Sequence, residues 1–274
     1  MSIKTLIKSH VRNFTFALIG CALFNSVVSN AQNTTPADTY ARVLYGKVEA
    51  SNVNAYLKIM KEQVKPALQQ AKQSGALTGW ILYGVGYTGA ESEYNFVSVL
   101  IYDSWAKTEK LPDLEGLLKK TNPNSDAAAT VAQLSSIRKM VKQEFYHQED
   151  AVVGPATITP KYILVNYMKP KPGMVSAYLK DEKENWKPIH QEFTKSGQTA
   201  GWSLWSLIMP SGSLQPFDYV TVDDFEDFSK LNTVKYMETI KKVYPSKTPE
   251  AFIEQTGKSH DRVRIELWET IEQL

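Results

Sequence analysis

Along the chain, stretches of strictly alternating apolar and polar residues give way to longer stretches in which apolar residues recur every three or four positions. The exchange happens twice in the same order. From Tyr162 to Tyr167, Ile163, Val165 and Tyr167 fall on one side and Tyr162, Leu164 and Asn166 on the other, the two-residue period of a strand. Apolar residues then fall at Tyr56, Met60, Val64, Ala67, Leu68 and Ala71 in the first half, the spacing of one helix face. Ser74-Gly75 predicts the stop of that helix, with glycine as its cap. Pro66 and its counterpart Pro188 each remove a backbone donor inside the pattern and predict a kink or a restart. The segments GWILYGVGY and YNFVSVLIY, joined by TGAESE, read as a hairpin, and their counterparts are joined by MPSGSLQP. A polar, partly helical segment follows, in which Thr248-Pro249-Glu250 predicts an N-cap with proline in the first turn. The last strand is VKQEFYHQ in the first half and VRIELWET in the second, so each half reads strand, helix, strand, strand, helix, strand.

The two halves are copies. Ala55 to Trp80 aligns without a gap on Ala177 to Trp202 with 13 of 26 positions identical, where unrelated sequences would share roughly one or two. The offset of 122 residues reaches upstream to pair Tyr40, Val43, Tyr45 and Lys47 with Tyr162, Val165, Tyr167 and Lys169. One inserted residue sets VSVLIYDSWAK against VTVDDFEDFSK, and the first offset then returns to pair Glu144 with Glu266. The expected modules are residues 39–150 and 161–274, joined by the turn-rich linker 151–160.

The order βαββαβ is that of a ferredoxin-like α+β module, a four-stranded antiparallel sheet with helices on one face. Its bare face has to be buried, and a tandem copy supplies the partner. The expectation is therefore two tandem ferredoxin-like modules forming an intramolecular pseudo-dimeric α+β barrel. With these elements, and with WKPIHQEFTKSGQTAGW in the second copy, the chain resembles the dimeric α+β barrel superfamily, near its NIPSNAP and EthD-type groups. The resemblance spans nearly all of the chain behind its leader and implies a fold that hosts many unrelated activities. Cofactor-free monooxygenases of that superfamily place an asparagine on the first strand, which Asn166 matches, but the accompanying histidine of the second helix is absent here. Haem-binding branches use a helix histidine, and His190 occupies a helix.

Residues 1–31 differ from the rest. Lys4, Lys8 and Arg12 precede an apolar run from Phe14 to Phe24, and Ser29 and Ala31 stand before Gln32 in the small-x-small pattern of a signal-peptidase site. The run is too short for a permanent span. Export to the periplasm or beyond is the expectation, and Leu18-Ile19-Gly20-Cys21 offers a lipidated N-terminus at Cys21 as the alternative. Cleavage takes three of the 31 basic residues and none of the 29 acidic ones, which leaves the chain close to neutral and argues against nucleic acid. It also removes Cys21, the one cysteine, and with it disulfides, thiol nucleophiles and thiolate metal sites.

Candidate chemistry lies where the copies differ. His190 replaces Leu68 on the apolar stripe of the first helix, one turn after Trp186. It reads as a locally bonded core histidine, as a general base near neutral pH, or as an axial haem ligand. His147 on the last strand of the first copy corresponds to Glu269, and the two would share the space between the sheets if both point inward. Arg42, Tyr40, Asn166 and Tyr162 lie on the mixed face of the first strands, which is assigned to the interior and would line a pocket of polar groups among aromatics. Trp80 and Trp202, present in both copies, read as packing. Asp223 and Asp224, adjacent on a strand, point to opposite faces and do not make a shared metal site. No phosphate loop, zinc helix, nucleophile elbow or calcium loop is present.

The function expected from these readings is the binding of a small, partly apolar molecule between the two sheets. A cofactor-independent monooxygenase, isomerase or lyase using His190 or His147 is the enzymatic alternative, and a non-catalytic interaction protein of the cell envelope is the third. No cofactor is expected beyond the haem that His190 would ligate, and an oligomer is open.

Overall fold

The computed structural model describes residues 38–109 and 113–274, so the stretch expected to be a leader, its expected cleavage site and Cys21 lie outside the described residues. The first half runs β1 Tyr40–Val48, a long helix α1 at 53–73, β2 Gly79–Val85, β3 Phe96–Tyr102, the short α2 Trp105–Thr108, α3 Leu114–Thr121, α4 Ala127–Ile137 and β4 Arg138–Val152. The second half repeats the order with β5 Tyr162–Pro170, a long helix α5 at 175–195, β6 Gly201–Met209, β7 Tyr219–Phe225, α6 Tyr236–Val243, α7 Pro249–Thr256 and β8 His260–Gln273.

Both long helices answer their proline in the same way. In α1 the α-helical Val53–Ile59 passes through a π-helical turn, Met60–Val64, before Lys65–Gln73, and in α5 Val175–Lys180 passes through Asp181–Trp186 before Lys187–Lys195. The wider turn lies just ahead of a residue with no N–H to donate, so the helix continues instead of restarting. Each helix ends before a glycine in the left-handed region, Gly75 at φ +73° and Gly197 at φ +72°, where other residues would be strained. Thr248 caps α7 as expected, its hydroxyl accepting from the Ala251 N–H at 3.3 Å.

The eight strands form a mixed α+β fold around an antiparallel barrel closed in the order β1-β3-β2-β8-β5-β7-β6-β4. Within each half the neighbours are β2-β3-β1-β4 and β6-β7-β5-β8. Two further antiparallel pairs, β2 with β8 and β4 with β6, join the halves edge to edge. Closure leaves no unpaired edge strand to template aggregation. Helices cover the outside of each half.

Strand alternation therefore creates one interior and two helix-covered layers. Val43, Tyr45, Val97, Tyr146, Ile163, Val165, Tyr167, Val220 and Trp268 pack in the interior. Under α1, α3 and α4 the first layer gathers Tyr56, Met60, Val64, Leu68, Trp80, Leu100, Leu117 and Leu134. The second layer is divided between a group around Tyr178, Trp202 and Leu204 and another around Ile189, Phe193, Ile240 and Phe252.

This parity corrects one expectation. The mixed face of β1 and β5, carrying Tyr40, Arg42, Tyr162 and Asn166, turns to the helices, and the uniform face carrying Val43, Tyr45, Ile163, Val165 and Tyr167 turns inward. The reason is volume: β-branched and aromatic side chains from all eight strands fill a closed barrel, while helix side chains can meet polar groups in the outer layers.

Candidate functional site

Residues from every one of the eight strands surround a cavity of about 200 Å³ inside the barrel. Its wall is almost wholly apolar: Val43, Ile81, Val99, Ile163, Val165, Val220 and Val222, with Trp205 and Trp268. Ser203 and Asp224 supply the polar groups on the side of the second half. The Ser203 hydroxyl accepts from the Trp205 indole N–H at 2.8 Å and keeps its own proton to donate. The Asp224 carboxylate has no hydrogen-bonding or ion-pair partner among the described residues, and burial, followed by the nearby Asp223, pushes it up to about 7. A Cβ on Gly201 would stand 2.8 Å from Asp224 Oδ2, so glycine there makes the room the carboxylate occupies.

The interior also carries two related polar clusters. Glu144 accepts from Tyr45 at 2.6 Å, Tyr146 at 2.7 Å and Lys142 at 2.9 Å. At the corresponding positions of the second half, Glu266 accepts from Tyr167 and from the Trp268 indole, both at 2.9 Å, and Arg264 Nε lies 3.4 Å away. Tyr94, from the β2–β3 connection, crosses between the halves to donate to Glu266 at 2.6 Å while its ring packs 4.7 Å from that of Tyr45. Both carboxylates are thus saturated by donors, and the phenols beside them are held protonated, first by burial. With three donors on each carboxylate and Tyr94 tying one half to Glu266 of the other, these clusters brace the junction of the halves.

The predicted site residues are distributed differently. His147 lies on the outside of β4 with its ring 5.1 Å from that of Tyr40 and its Nδ1 3.4 Å from Glu149. Glu269, outside β8, meets Lys161 at 3.4 Å and accepts from Tyr162 at 3.3 Å. The two do not share the interior: Tyr146 and Trp268, their neighbours in sequence, hold the inward positions. Arg42 lies against a cavity under the helices of the first half. Trp186 packs edge-on against Phe252 at 5.2 Å, on the helix side of the second half.

Asn166 and His190, by contrast, come together. Asn166 donates to Asp223 Oδ2 at 2.9 Å, and Asp223 Oδ1 lies 3.4 Å from His190 Nδ1 without forming a hydrogen bond to it. His190 stacks on Trp202, ring centres 4.8 Å apart and planes 13° apart. Burial pushes its imidazole down to about 3 and the Asp223 carboxyl up to about 6, against the pull of Asn166 and Arg262. Glu182, on the π-helical turn of α5, is buried too and pushed up to about 8 by burial and then by Asp223 and Asp181. In the repeat, Asn166, Glu182, His190 and Asp223 replace Leu44, Met60, Leu68 and Leu100. Four apolar positions of one layer have become a polar cluster in the other.

The alignment held the signal for Glu182, which the sequence reading leaves out, and for Asp224, which it weighs only as a metal ligand. Glu182 opposite Met60 is a buried-stripe position turned acidic, and Asp224 opposite Ile101 faces the interior.

An axial haem ligand needs a free ring nitrogen facing space as wide as the macrocycle. His190 has one ring face against Trp202, further aromatic contacts with Phe193 and Trp186, and Nδ1 beside Asp223. Those residues do not fit a porphyrin. Among the described residues, no group of three or more His, Cys, Asp or Glu could hold a metal ion, and no helix is long and apolar enough to cross a membrane.

No family model matches the chain, and no curated protein does. Among solved structures it is similar to a proposed monooxygenase from Lactobacillus acidophilus, at 10% identity over 86% of this chain and 95% of that one, TM-score 0.48. A heme-binding protein from Thermus thermophilus matches at 8% identity over 86% and 92%, TM-score 0.48. A chlorite dismutase variant from Candidatus Nitrospira defluvii matches at 10% identity over 87% and 93%, TM-score 0.45. Likenesses this distant leave the site to rest on the chain's own geometry.

Proposed function

We propose that this chain binds a small, mostly apolar molecule inside its barrel, in the cavity bounded by Val43, Val99, Val165, Val222, Trp205 and Trp268. The observation that carries the reading is a mostly apolar space of about 200 Å³ walled by all eight strands, with Asp224, Ser203 and the tyrosines Tyr45, Tyr83 and Tyr146 as the residues that bring polar atoms. Apolar cavities of roughly 150 Å³ stay dry and hold benzene, so this one suits a single-ring or short aliphatic molecule with one polar group for Asp224 or Ser203. The reading treats the halves as duplicated ferredoxin-like modules and the whole as a one-chain counterpart of a dimeric α+β barrel, which the matching strand order of the halves supports. It also takes the chain as exported, on the charge and apolar pattern of residues 1–31, and N-terminal sequencing of the protein recovered from its native cell tests that part.

Toluene and benzyl alcohol, followed by the fluorescence of Trp205 and Trp268, are the probes. Wild-type protein binds both, Val222→Trp fills the space and binds neither, and Asp224→Leu holds toluene better and benzyl alcohol worse. Equal binding by wild type and Val222→Trp sinks the proposal.

Asp224 favours a second reading, a cofactor-independent isomerase or lyase. A lone carboxyl held at about 7 in an apolar cavity is suited to take and return a proton at a bound carbon acid. In this reading Asp224 does the work that the sequence assigned to His190 or His147. Proton exchange into a bound ketone from deuterated buffer, lost in Asp224→Asn with binding retained, is the expected result. Exchange at the wild-type rate in Asp224→Asn would exclude it.

A further inference from the structure

The first half contains a second cavity, of about 190 Å³, between its helices and its sheet. Leu44, Leu68, Leu100, Leu117 and Leu134 give it an aliphatic centre, and Arg42 and Arg138 both reach its wall. Each arginine buries an Nε with no hydrogen-bond partner. The Tyr102 hydroxyl, within electrostatic reach of Arg42, is also buried and unpartnered. A buried donor without an acceptor costs about 1–3 kcal/mol, and here two of them, one on each arginine, belong to residues on the wall of a single cavity. One carboxylate, Asp113, also lies on the wall, but its Oδ1 accepts from the Gly116 N–H at the start of α3. The repeat sharpens the point: Arg42 stands opposite Leu164, and Arg138 opposite His260. Gly46, whose Cβ would come within 3.0 Å of Arg138 Cδ, gives that side chain its path, and Met168 stands opposite it.

We infer that this cavity is a binding site for an aliphatic carboxylate, its carboxylate on Arg42 and its chain among the leucines, with Arg138 at a second cationic position on the wall. Guanidinium donors match a carboxylate in charge and in hydrogen-bonding sense. The leucine-lined centre favours a saturated chain over an aromatic ring system or a sugar. The site is separate from the barrel interior, whose wall comes from the opposite faces of the same strands.

Calorimetric titration of the full chain with octanoate, octanol and octylammonium tests this. Octanoate binds at least about tenfold more tightly than octanol, a charge-assisted bond's worth, and octylammonium does not bind. Arg42→Gln weakens octanoate by about tenfold and leaves octanol unchanged, while Leu68→Trp fills the centre and removes both. Should Leu68→Trp fail to give a folded circular dichroism spectrum, Leu100→Phe serves the same purpose. Val222→Trp, which fills the barrel, leaves octanoate binding intact, so failure here and failure of the barrel proposal are distinguishable. Equal affinity for octanoate and octanol, an unchanged Arg42→Gln, loss of octanoate binding in Val222→Trp, or no binding at millimolar octanoate would each overturn the assignment.

Discussion

The layers between helix and sheet in the two halves occupy matched positions and carry opposite chemistry. In the first, Leu44, Met60, Leu68 and Leu100 lie beside a cavity reached by two arginines. In the second, Asn166, Glu182, His190 and Asp223 form a buried cluster in which the carboxyls hold their protons more tightly than usual and the imidazole holds its own less tightly. One backbone plan, capped and turned by the same residues, thus tolerates either filling. The polar residues of the second layer have one another as neighbours, whereas at the tightly packed positions of the first layer a polar side chain would face hydrocarbon.

The largest effect follows from breaking that contrast in the first half. Leu82→Asp places a carboxylate in the first layer at a fully buried position off the wall of the cavity that Arg42 and Arg138 reach. The expected loss is about 4 kcal/mol by urea unfolding, a large share of the 5–15 kcal/mol that ordinarily separates folded from unfolded chains. A loss under about 1 kcal/mol would mean that the first layer is as polar as the second.

The converse change comes next. Asn166→Leu alone removes the one hydrogen bond to Asp223 from a side chain and leaves a buried carboxylate with fewer partners, at a cost of about 1–3 kcal/mol. Replacing all four residues by those of the first half, as N166L, E182M, H190L and D223L together, removes the desolvated groups as a set and leaves stability unchanged or raised by about 1–4 kcal/mol. Additive losses across the four would show instead that the cluster is a net source of stability.

How far this contrast could be read from the chain depended on which physical question was asked. The repeat, the element order, the α7 cap and the glycines ending the long helices follow from local chemistry, and local chemistry is written residue by residue. Which face of β1 and β5 turns inward is not local. Tyr162, Leu164 and Asn166 are nearly as apolar and aromatic as Ile163, Val165 and Tyr167, and a two-residue period separates two faces without saying which one a closed barrel will enclose. Arg42, Tyr40 and Tyr162 were therefore assigned to the wrong side. Asn166 and His190 were singled out correctly as divergent, yet their meeting through Asp223 required the register Asn166 opposite Thr221, which brings Asp223 onto the same face. Glu182 and Asp224 were visible as mismatches in the aligned copies. The polarity of their surroundings was not.

Titration offers a third way to sharpen the comparison. Burial raises Glu182, Asp223 and Asp224 to about 8, 6 and 7. The folded chain therefore holds more protons on these groups than the unfolded one, and their contribution to stability is complete below about pH 4 and lost as pH rises through the folded values. His190 acts in the other direction: pushed down to about 3, it contributes fully above about pH 6.5 and loses that contribution as pH falls toward 3. Three carboxyls against one imidazole put the maximum that these four groups set near about pH 4, with stability falling from there as pH rises. The thermal midpoint should fall by several degrees from pH 6 to pH 9, and Glu182→Gln should flatten the upper part of that fall. A midpoint independent of pH over this range in the wild type would contradict the burial of these carboxyls.

The smallest effect belongs where the halves have stayed alike. Asp126 caps α4 by accepting from the Ala129 N–H at 2.9 Å, and Thr248, its counterpart in the repeat, caps α7 from Ala251. Either residue changed to alanine should cost about 1 kcal/mol, Asp126 slightly more because its charge also meets the positive end of the helix. Calorimetric melting of the two single variants reads the difference directly. If the caps weigh alike while the layers do not, divergence between the halves has been confined to what lies under the helices and has spared what holds the helices in place. A gap wider than the roughly 1 kcal/mol that the charge of Asp126 can account for would instead make the second half a weaker scaffold throughout, and its polar cluster a symptom of that weakness.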